Sequence, residues 1–105
     1  MTKFLVLYRA NQSATEQMSA ASPDEQQASM QDWMTWAGKA GPAIVDLGSP
    51  VAAAAGTTVS GDTIGGFSIL QAESAEALQQ VFEGHPHTKQ GGTIEVFEFL
   101  PIPGM

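Results

Sequence analysis

The stretch that decides the fold is Phe82-Glu-Gly-His-Pro-His-Thr-Lys89, with the strand-like run Thr93-Ile-Glu-Val-Phe-Glu-Phe-Leu100 that follows it. Gly84 predicts the end of a helix, and a rigid turn after it presents the two histidines that the sequence contains. The chain then re-enters a strongly apolar strand. We therefore expect the preceding residues to form a scaffold that brings two helices and several strands to this turn.

Length and composition limit the class of protein. The 105 residues suit a single domain over 1–105, and a hydrophobic fraction of 43% is ordinary for a globular chain. The absence of cysteine excludes disulfides and thiol chemistry. A formal net charge of −7, with four Lys and Arg residues, is unsuited to binding phosphates or anionic membranes. We expect no nucleic-acid partner and no membrane partner.

The N-terminal residues predict the location of the protein. They form a strand-like run without the apolar core and cleavage site of a signal peptide. Nowhere does the sequence approach the roughly 20 apolar residues that a membrane span needs. We expect a cytoplasmic protein.

Hydrophobic patterning predicts four strands and two helices. The first helix follows Ser22. Two signals mark its start: a capping box formed by Ser22 and Glu25, and Pro23 at the first helical position. Residues 10–21 are read as a loop or a short irregular helix, and 51–60 as a hairpin arm or a loop before a turn at Gly61-Asp62. The predicted strands are Phe4–Tyr8, Ala43–Leu47, Gly65–Ala72 and Thr93–Leu100, and the predicted helices are 23–40 and Ala75–Glu83, the latter capped by Ser74.

The order of these elements predicts an α+β ferredoxin-like plait, an antiparallel sheet with both helices on one face. Phe4, Val6 and Tyr8 point to one face of the first strand, whereas Leu5 and Leu7 point to the other. Because helices cover only one of these two apolar faces, the second would form a large exposed patch in a monomer. The sequence therefore predicts a homodimer in which two sheets pack face to face.

His85 and His87 are the leading catalytic candidates, because imidazole exchanges protons near neutral pH. In an extended segment the two rings would point the same way, so both could face one pocket or one metal. The structural alternative is that His85 interacts favourably with the end of a helix while His87 is a solvated loop residue. Asp46, which we expect on the face of Ile44, is the third candidate, as a group that orients a histidine. The structural alternatives are an edge-strand charge and a partner of Arg9.

Further side chains are candidate ligand contacts. Tyr8 and Arg9, at the end of the first strand, could hold an anionic or carbonyl group, and Trp36 could line a pocket, although both tryptophans also suit a core or interface position. Phe67 is the fourth candidate. Two histidines with Asp46 or a glutamate give a weak metal signal, and Gly91-Gly92 precedes a strand rather than a phosphate-binding helix. We expect no metal and no other cofactor.

The sequence resembles the YCII-related (DGPF-type) family of the dimeric α/β-barrel superfamily along nearly its whole length. The resemblance rests on four stretches in the same order, 3–9, 65–78, Gly84-His-Pro-His87 and 94–101. It implies a ferredoxin-like homodimer with a pocket between sheet and helices or at the dimer seam. Enzymatic activity is suspected in the family because some members have a pocket His–Asp pair, and some relatives are encoded near extracytoplasmic-function sigma factors.

The chain departs from the family pattern in two places. The Asp-Gly-Pro-Phe string is replaced by Gly61-Asp-Thr-Ile-Gly-Gly-Phe67, and no histidine precedes His85. A catalytic pair from the N-terminal half of a relative therefore cannot be carried over. Our functional hypothesis is a protein that binds a small, apolar-to-aromatic molecule in a pocket, with His/Asp acid–base catalysis as its enzymatic form. The alternatives are a non-catalytic regulatory or protein-interaction module and, third, a metal-dependent enzyme.

Overall fold

The computed structural model describes residues 1–11, 14–58, 63–89 and 91–103, and it has the predicted α+β architecture. Residues 51–58 have no regular structure, so the described part of this segment is a loop; the turn expected at 61–62 lies outside the described residues. The elements are β1 Thr2–Ala10, α1 Ala14–Ala20, α2 Pro23–Ala40, β2 Ile44–Pro50, β3 Thr63–Ala72, α3 Ala75–Val81, α4 Pro86–Lys89 and β4 Thr93–Glu98.

Helix α2 begins where its capping residues predict. The Ser22 hydroxyl accepts the backbone N–H of Glu25 at 3.1 Å, and the Glu25 carboxylate accepts the N–H of Ser22 at 3.5 Å. These two bonds satisfy N–H groups that have no partner within the helix. The helix ends at Ala40, and Gly41 adopts a positive φ of 50° after it. The prediction of this helix is confirmed at both ends.

The sheet has the strand order β2-β3-β1-β4, with every neighbouring pair antiparallel. The central strand β1 pairs with β3 on one side and with β4 on the other, as in a ferredoxin-like plait. One face of β1, formed by Phe4, Val6 and Tyr8, packs under the helices and is almost completely buried. The core around it also contains Trp36, Leu70, Ala72 and Leu78, with Trp33, Phe82, Ile94 and Val96 packed against it.

The opposite face of the sheet is apolar, and no helix of the described residues covers it. Strand pairing places Leu5 beside Ile69 and Phe97, and Leu7 beside Phe67, on this second face. Phe97 remains 49% exposed in the single chain. The prediction that both faces of the sheet are apolar is confirmed, and we call this second surface the open face.

Strand β2 has an irregular register, and Gly48 is the reason that it can approach β3. The register shifts between Ile44 and Asp46 and again between Asp46 and Ser49. Gly48 adopts a φ of +84°, and a Cβ added to it would lie 1.7 Å from the carbonyl oxygen of Phe67. A side chain at this position would therefore collide with backbone, which only glycine avoids.

Several details differ from the sequence-based expectations. Helix α3 ends at Val81 instead of Glu83, and β4 ends at Glu98 instead of Leu100. Residues 14–20 form a regular seven-residue helix, α1, instead of an irregular one. The histidine segment is the short helix α4 instead of an extended turn. Among the helices of the described residues, none combines the length and the apolar character that crossing a membrane requires.

Candidate functional site

The two histidines flank the start of α4, where the local sequence creates a compact cap. Gly84, at a φ of +71°, reverses the chain after α3, and Pro86 occupies the first helical position, which needs no N–H donor. The imidazole Nδ1 of His85 accepts the backbone N–H of His87 at 3.0 Å, and the Thr88 hydroxyl donates to the carbonyl oxygen of His85 at 2.9 Å. His85 thus caps this short helix with its own side chain.

The cap sends the two imidazoles into different surroundings. His85 is 0% exposed, whereas His87 is half-buried. In an extended segment, alternate side chains share a face, but a helical turn rotates His87 away from His85. The expectation that both rings point the same way is therefore wrong. The alternative, in which His85 interacts with a helix end while His87 is a solvated loop residue, is also wrong. The side chain of His85 lies in the core, and His87 is a half-buried residue of α4.

Aromatic rings surround His85. Its ring stacks on Tyr8 with centroids 5.1 Å apart, and the indoles of Trp33 and Trp36 stand edge-to-face with it at 4.6 and 4.4 Å. Such surroundings provide dispersion contacts but no solvation for a charge. This cluster belongs to the core between β1 and α2.

Hydrogen bonding and burial keep His85 neutral. Since Nδ1 accepts an N–H, it carries no proton in the neutral ring, which leaves the proton on Nε2. This Nε2 is buried and has no hydrogen-bond partner among the described residues. Burial, helped by the nearby charge of His87, lowers the pKa of His85 from 6.5 to about 4. Protonation of His85 at Nδ1 would also place its N–H against the backbone N–H of His87, so that two donors would face each other.

His87 is attached to the end of β1. Its Nε2 lies 2.7 Å from the carbonyl oxygen of Arg9, and its ring centroid lies 5.4 Å from that of Tyr8. A carbonyl only accepts, so Nε2 carries the proton and the neutral ring has a bare Nδ1. The carbonyl of His87 also accepts the N–H of Gly92 at 3.0 Å. The side chain is therefore held at one nitrogen, while the other is left for a different partner.

A cleft of about 290 Å³ opens beside His87, between the end of β1, helix α1, the start of α2 and the turn before β4. His87 is the lining residue whose side chain best suits proton transfer. The cleft is of a size that a small molecule could fill. Its walls include Asn11, Gln17, Glu25, His87 and Gly92.

Comparison with known proteins places this architecture in a family. The model of the YCII-related domain matches residues 2–102. This chain belongs to the YCII-related family. No curated protein matches the chain. Among solved structures, this YCII-related domain is similar to 5-chloro-2-hydroxyhydroquinone dehydrochlorinase from Burkholderia phenoliruptrix in complex with 2,5-dihydroxybenzoquinone. The identity is 24% and the TM-score 0.52, over 89% of this chain and 90% of the other. At this identity the likeness shows a common fold.

Asp46 of this YCII-related domain does not lie with the histidines. The irregular register places it opposite Ile69, on the open face, whereas Ile44 lies opposite Leu70 on the face under the helices. Its carboxylate is exposed and accepts the backbone N–H of Gly48 at 2.8 Å. The expectation that Asp46 shares the face of Ile44 is wrong, because the strand bulges between the two residues.

The four candidate ligand contacts occupy different places. Tyr8 is buried beside both histidines, but its hydroxyl donates to Ser68 at 2.9 Å, and Ser68 donates to the carbonyl of Leu47 at 2.6 Å. Burial raises the pKa of Tyr8 to about 12, although the Ser68 contact opposes this shift, so the phenol stays protonated. Trp36 is 3% exposed, and its indole N–H donates to the carbonyl of Val81 at 2.8 Å.

Arg9 and Phe67 lie on the open face. The Arg9 guanidinium forms an ion pair with Glu95, while Phe67 pairs across the sheet with Leu7. Arg9 contributes to the histidine site through its backbone carbonyl, which sequence reasoning could not identify. Gly92 and Ser68 were also missed, because neither belongs to a recognisable pattern. Trp33, like Trp36, was expected at a core or interface position, and that was the available signal for its place beside His85.

Proposed function

We propose that this YCII-related domain binds a small molecule in the cleft beside His87, and that His87 exchanges a proton with the bound molecule through Nδ1. One observation carries the proposal: a half-buried imidazole with one nitrogen hydrogen-bonded to a backbone carbonyl lines an open cleft. A fixed imidazole next to space for a ligand is the usual arrangement of a histidine general base.

His85 has a supporting role in this proposal. Its ring is fully buried, and its low pKa leaves Nδ1 weakly basic. It stabilises α4 by accepting the N–H of His87, and so helps to orient His87. Tyr8 and Trp36 are core residues that pack against the His85 ring. Their polar groups already have protein partners, Ser68 and the Val81 carbonyl. Asp46, on the open face, has no part in the proposed proton transfer.

The ligand that we propose is a small hydroxylated ring. Imidazole Nδ1 can accept the proton of a hydroxyl group. A small flat ring that carries such a hydroxyl fits a cleft of this volume. The similar structure from Burkholderia phenoliruptrix contains 2,5-dihydroxybenzoquinone, a compound of this kind, which supports the choice of ring-shaped probes.

We also propose that the open face is buried against a second copy of the chain. It exposes large apolar side chains, of which Phe97 and Phe99 are each 49% accessible. Large apolar side chains exposed together on one sheet face are more typical of an interface than of a monomer surface.

Binding of a fragment set to the untagged protein tests the small-molecule proposal, with isothermal titration of every hit. We expect ring-shaped hits whose affinity falls at least tenfold in His87→Gln, because the proton acceptor is lost. Gln79→Ala, on the exposed side of α3, is the control and should bind as the wild type does. Hits that bind His87→Gln as tightly as wild type would contradict the role of His87.

Native mass spectrometry of the same untagged protein tests the proposed dimer and examines the cleft for a bound molecule. We expect a dimer, with added mass if a natural ligand is retained. A monomer at micromolar concentration would contradict the homodimer. An empty cleft that binds no fragment would instead favour the non-catalytic regulatory or protein-interaction module.

A further inference from the structure

We propose that the cleft selects an uncharged hydroxyl donor, because the Arg9 carbonyl and Gly92 together hold His87 with Nδ1 as its bare, hydrogen-accepting nitrogen. This inference rests on the proposed function and narrows its ligand, a hydroxylated ring, to one that is uncharged. It also identifies Gly92 as a positioning residue, which acts on the ligand only through the ring of His87.

The backbone carbonyl of Arg9 selects the tautomer. Either neutral tautomer of a free imidazole is accessible, but a carbonyl 2.7 Å from Nε2 stabilises the form with the proton on Nε2. Because the acceptor is main chain within β1, it keeps its place when side chains move. The ring nitrogen left for a ligand is therefore an acceptor, and its natural partner is an O–H or N–H group.

Gly92 leaves the space that the His87 ring occupies. A Cβ added to Gly92 would lie 2.2 Å from Nε2 and 2.4 Å from Cε1 of His87. Both distances are far below any tolerated contact, so the ring would have to leave the Arg9 carbonyl. The conformation of Gly92 is not the left-handed one, and the imidazole is the far end of a side chain. Alanine at this position should therefore displace the ring and leave the backbone in place.

The charge of the cleft disfavours an anion. Among the described residues that line it, Glu25 is the one with a full charge at neutral pH, and none is Lys or Arg. The N-terminus of α2 forms part of the wall, and its dipole attracts negative charge. However, Asp24 and Glu25 already supply that charge in the first turn of the helix. A neutral donor avoids repulsion from these carboxylates, whereas a carboxylate ligand does not.

The tautomer is tested by ¹⁵N NMR of the imidazoles at pH 8, where histidine is ordinarily neutral. For wild-type His87 we expect a protonated Nε2 and an unprotonated Nδ1. In Gly92→Ala we expect this signature to be replaced by a mixture of tautomers. Gly38→Ala is the matched control, because a Cβ there would contact none of the described residues within 4 Å. A wild-type His87 that carries its proton on Nδ1 would overturn the inference without any ligand being present.

The ligand class is tested with phenol, anisole and benzoate, which share a ring and differ in the donor and the charge. We expect saturable phenol-induced shifts of the His87 Nδ1 resonance, with anisole and benzoate each binding about fivefold more weakly. In Gly92→Ala the preference for phenol should disappear. Equal binding of phenol and anisole, tighter binding of benzoate, or no phenol binding would overturn the inference. A fragment of another class that binds the cleft and loses affinity in His87→Gln would still support the role of His87, so the two proposals can fail separately.

Discussion

Burial of a neutral histidine in the core predicts a pH-dependent loss of stability that one substitution should remove. His85 has its pKa lowered to about 4 in the folded chain, against 6.5 for an exposed histidine. Between these values the unfolded chain binds a proton that the folded chain does not. Stability from this group is therefore complete above pH 6.5, falls as the pH falls, and is lost by about pH 4.

The size of the effect follows from the same two values. Between pH 7.5 and pH 5 the free energy of unfolding should decrease by about 2 kcal/mol through His85 alone, towards a limit of about 3 kcal/mol below pH 4. Because carboxylates also begin to titrate in this range, the wild-type slope alone does not isolate the histidine. Comparison with a variant that has no titrating group at position 85 isolates the contribution of His85.

The assay is urea unfolding at pH 7.5, 6.5, 5.5 and 5.0, at one protein concentration, for wild type, His85→Gln and His87→Gln. His85→Gln should be less stable at pH 7.5, since it loses aromatic packing, but the difference should shrink by about 2 kcal/mol at pH 5. His87→Gln should keep most of the wild-type slope, because the charge of His87 is the smaller cause of the lowered pKa. Parallel slopes for wild type and His85→Gln would show that His85 is not the group whose protonation destabilises the fold.

Three further substitutions test the scaffold by urea unfolding at pH 7.5. Ser22→Ala should cost about 1 kcal/mol by removing the hydroxyl that caps α2, and no loss would show that the cap is dispensable. Gly48→Ala should cost more than about 3 kcal/mol through its clash with backbone, whereas helical Gly38→Ala should stabilise by up to about 1 kcal/mol. Ser68→Ala should cost about 1–3 kcal/mol because it leaves the buried Tyr8 hydroxyl without its acceptor, and a neutral effect would show that the phenol finds another.

Much of the fold follows from local signals in the sequence. The capping box at Ser22 and Glu25 and the alternating apolar residues of β1 are short-range patterns, and both structures form where these patterns occur. The two-faced character of the sheet was also predictable from alternation. Element order was then sufficient to give the plait, because right-handed connections leave few arrangements.

The site was less predictable because its geometry depends on long-range contacts. The pair His85-Pro-His87 was the correct region, but its division into a buried ring and a half-buried ring follows from the helical turn that starts at Pro86. The Arg9 carbonyl reaches His87 across 78 positions of sequence, and a backbone atom leaves no signature in composition. Asp46 was placed on the wrong face because a bulge shifts the register by one residue, which no sequence pattern marks.

The most direct test of the account is to map where a ligand binds, using amide chemical shifts of the uniformly ¹⁵N-labelled protein during a phenol titration. We predict that the saturating amide shifts cluster at the cleft, at Ala10, Asn11, His87, Gly91 and Gly92, and that they vanish in His87→Gln. Shifts that instead cluster on the open face, around Leu7 and Phe67, and persist in His87→Gln would contradict it.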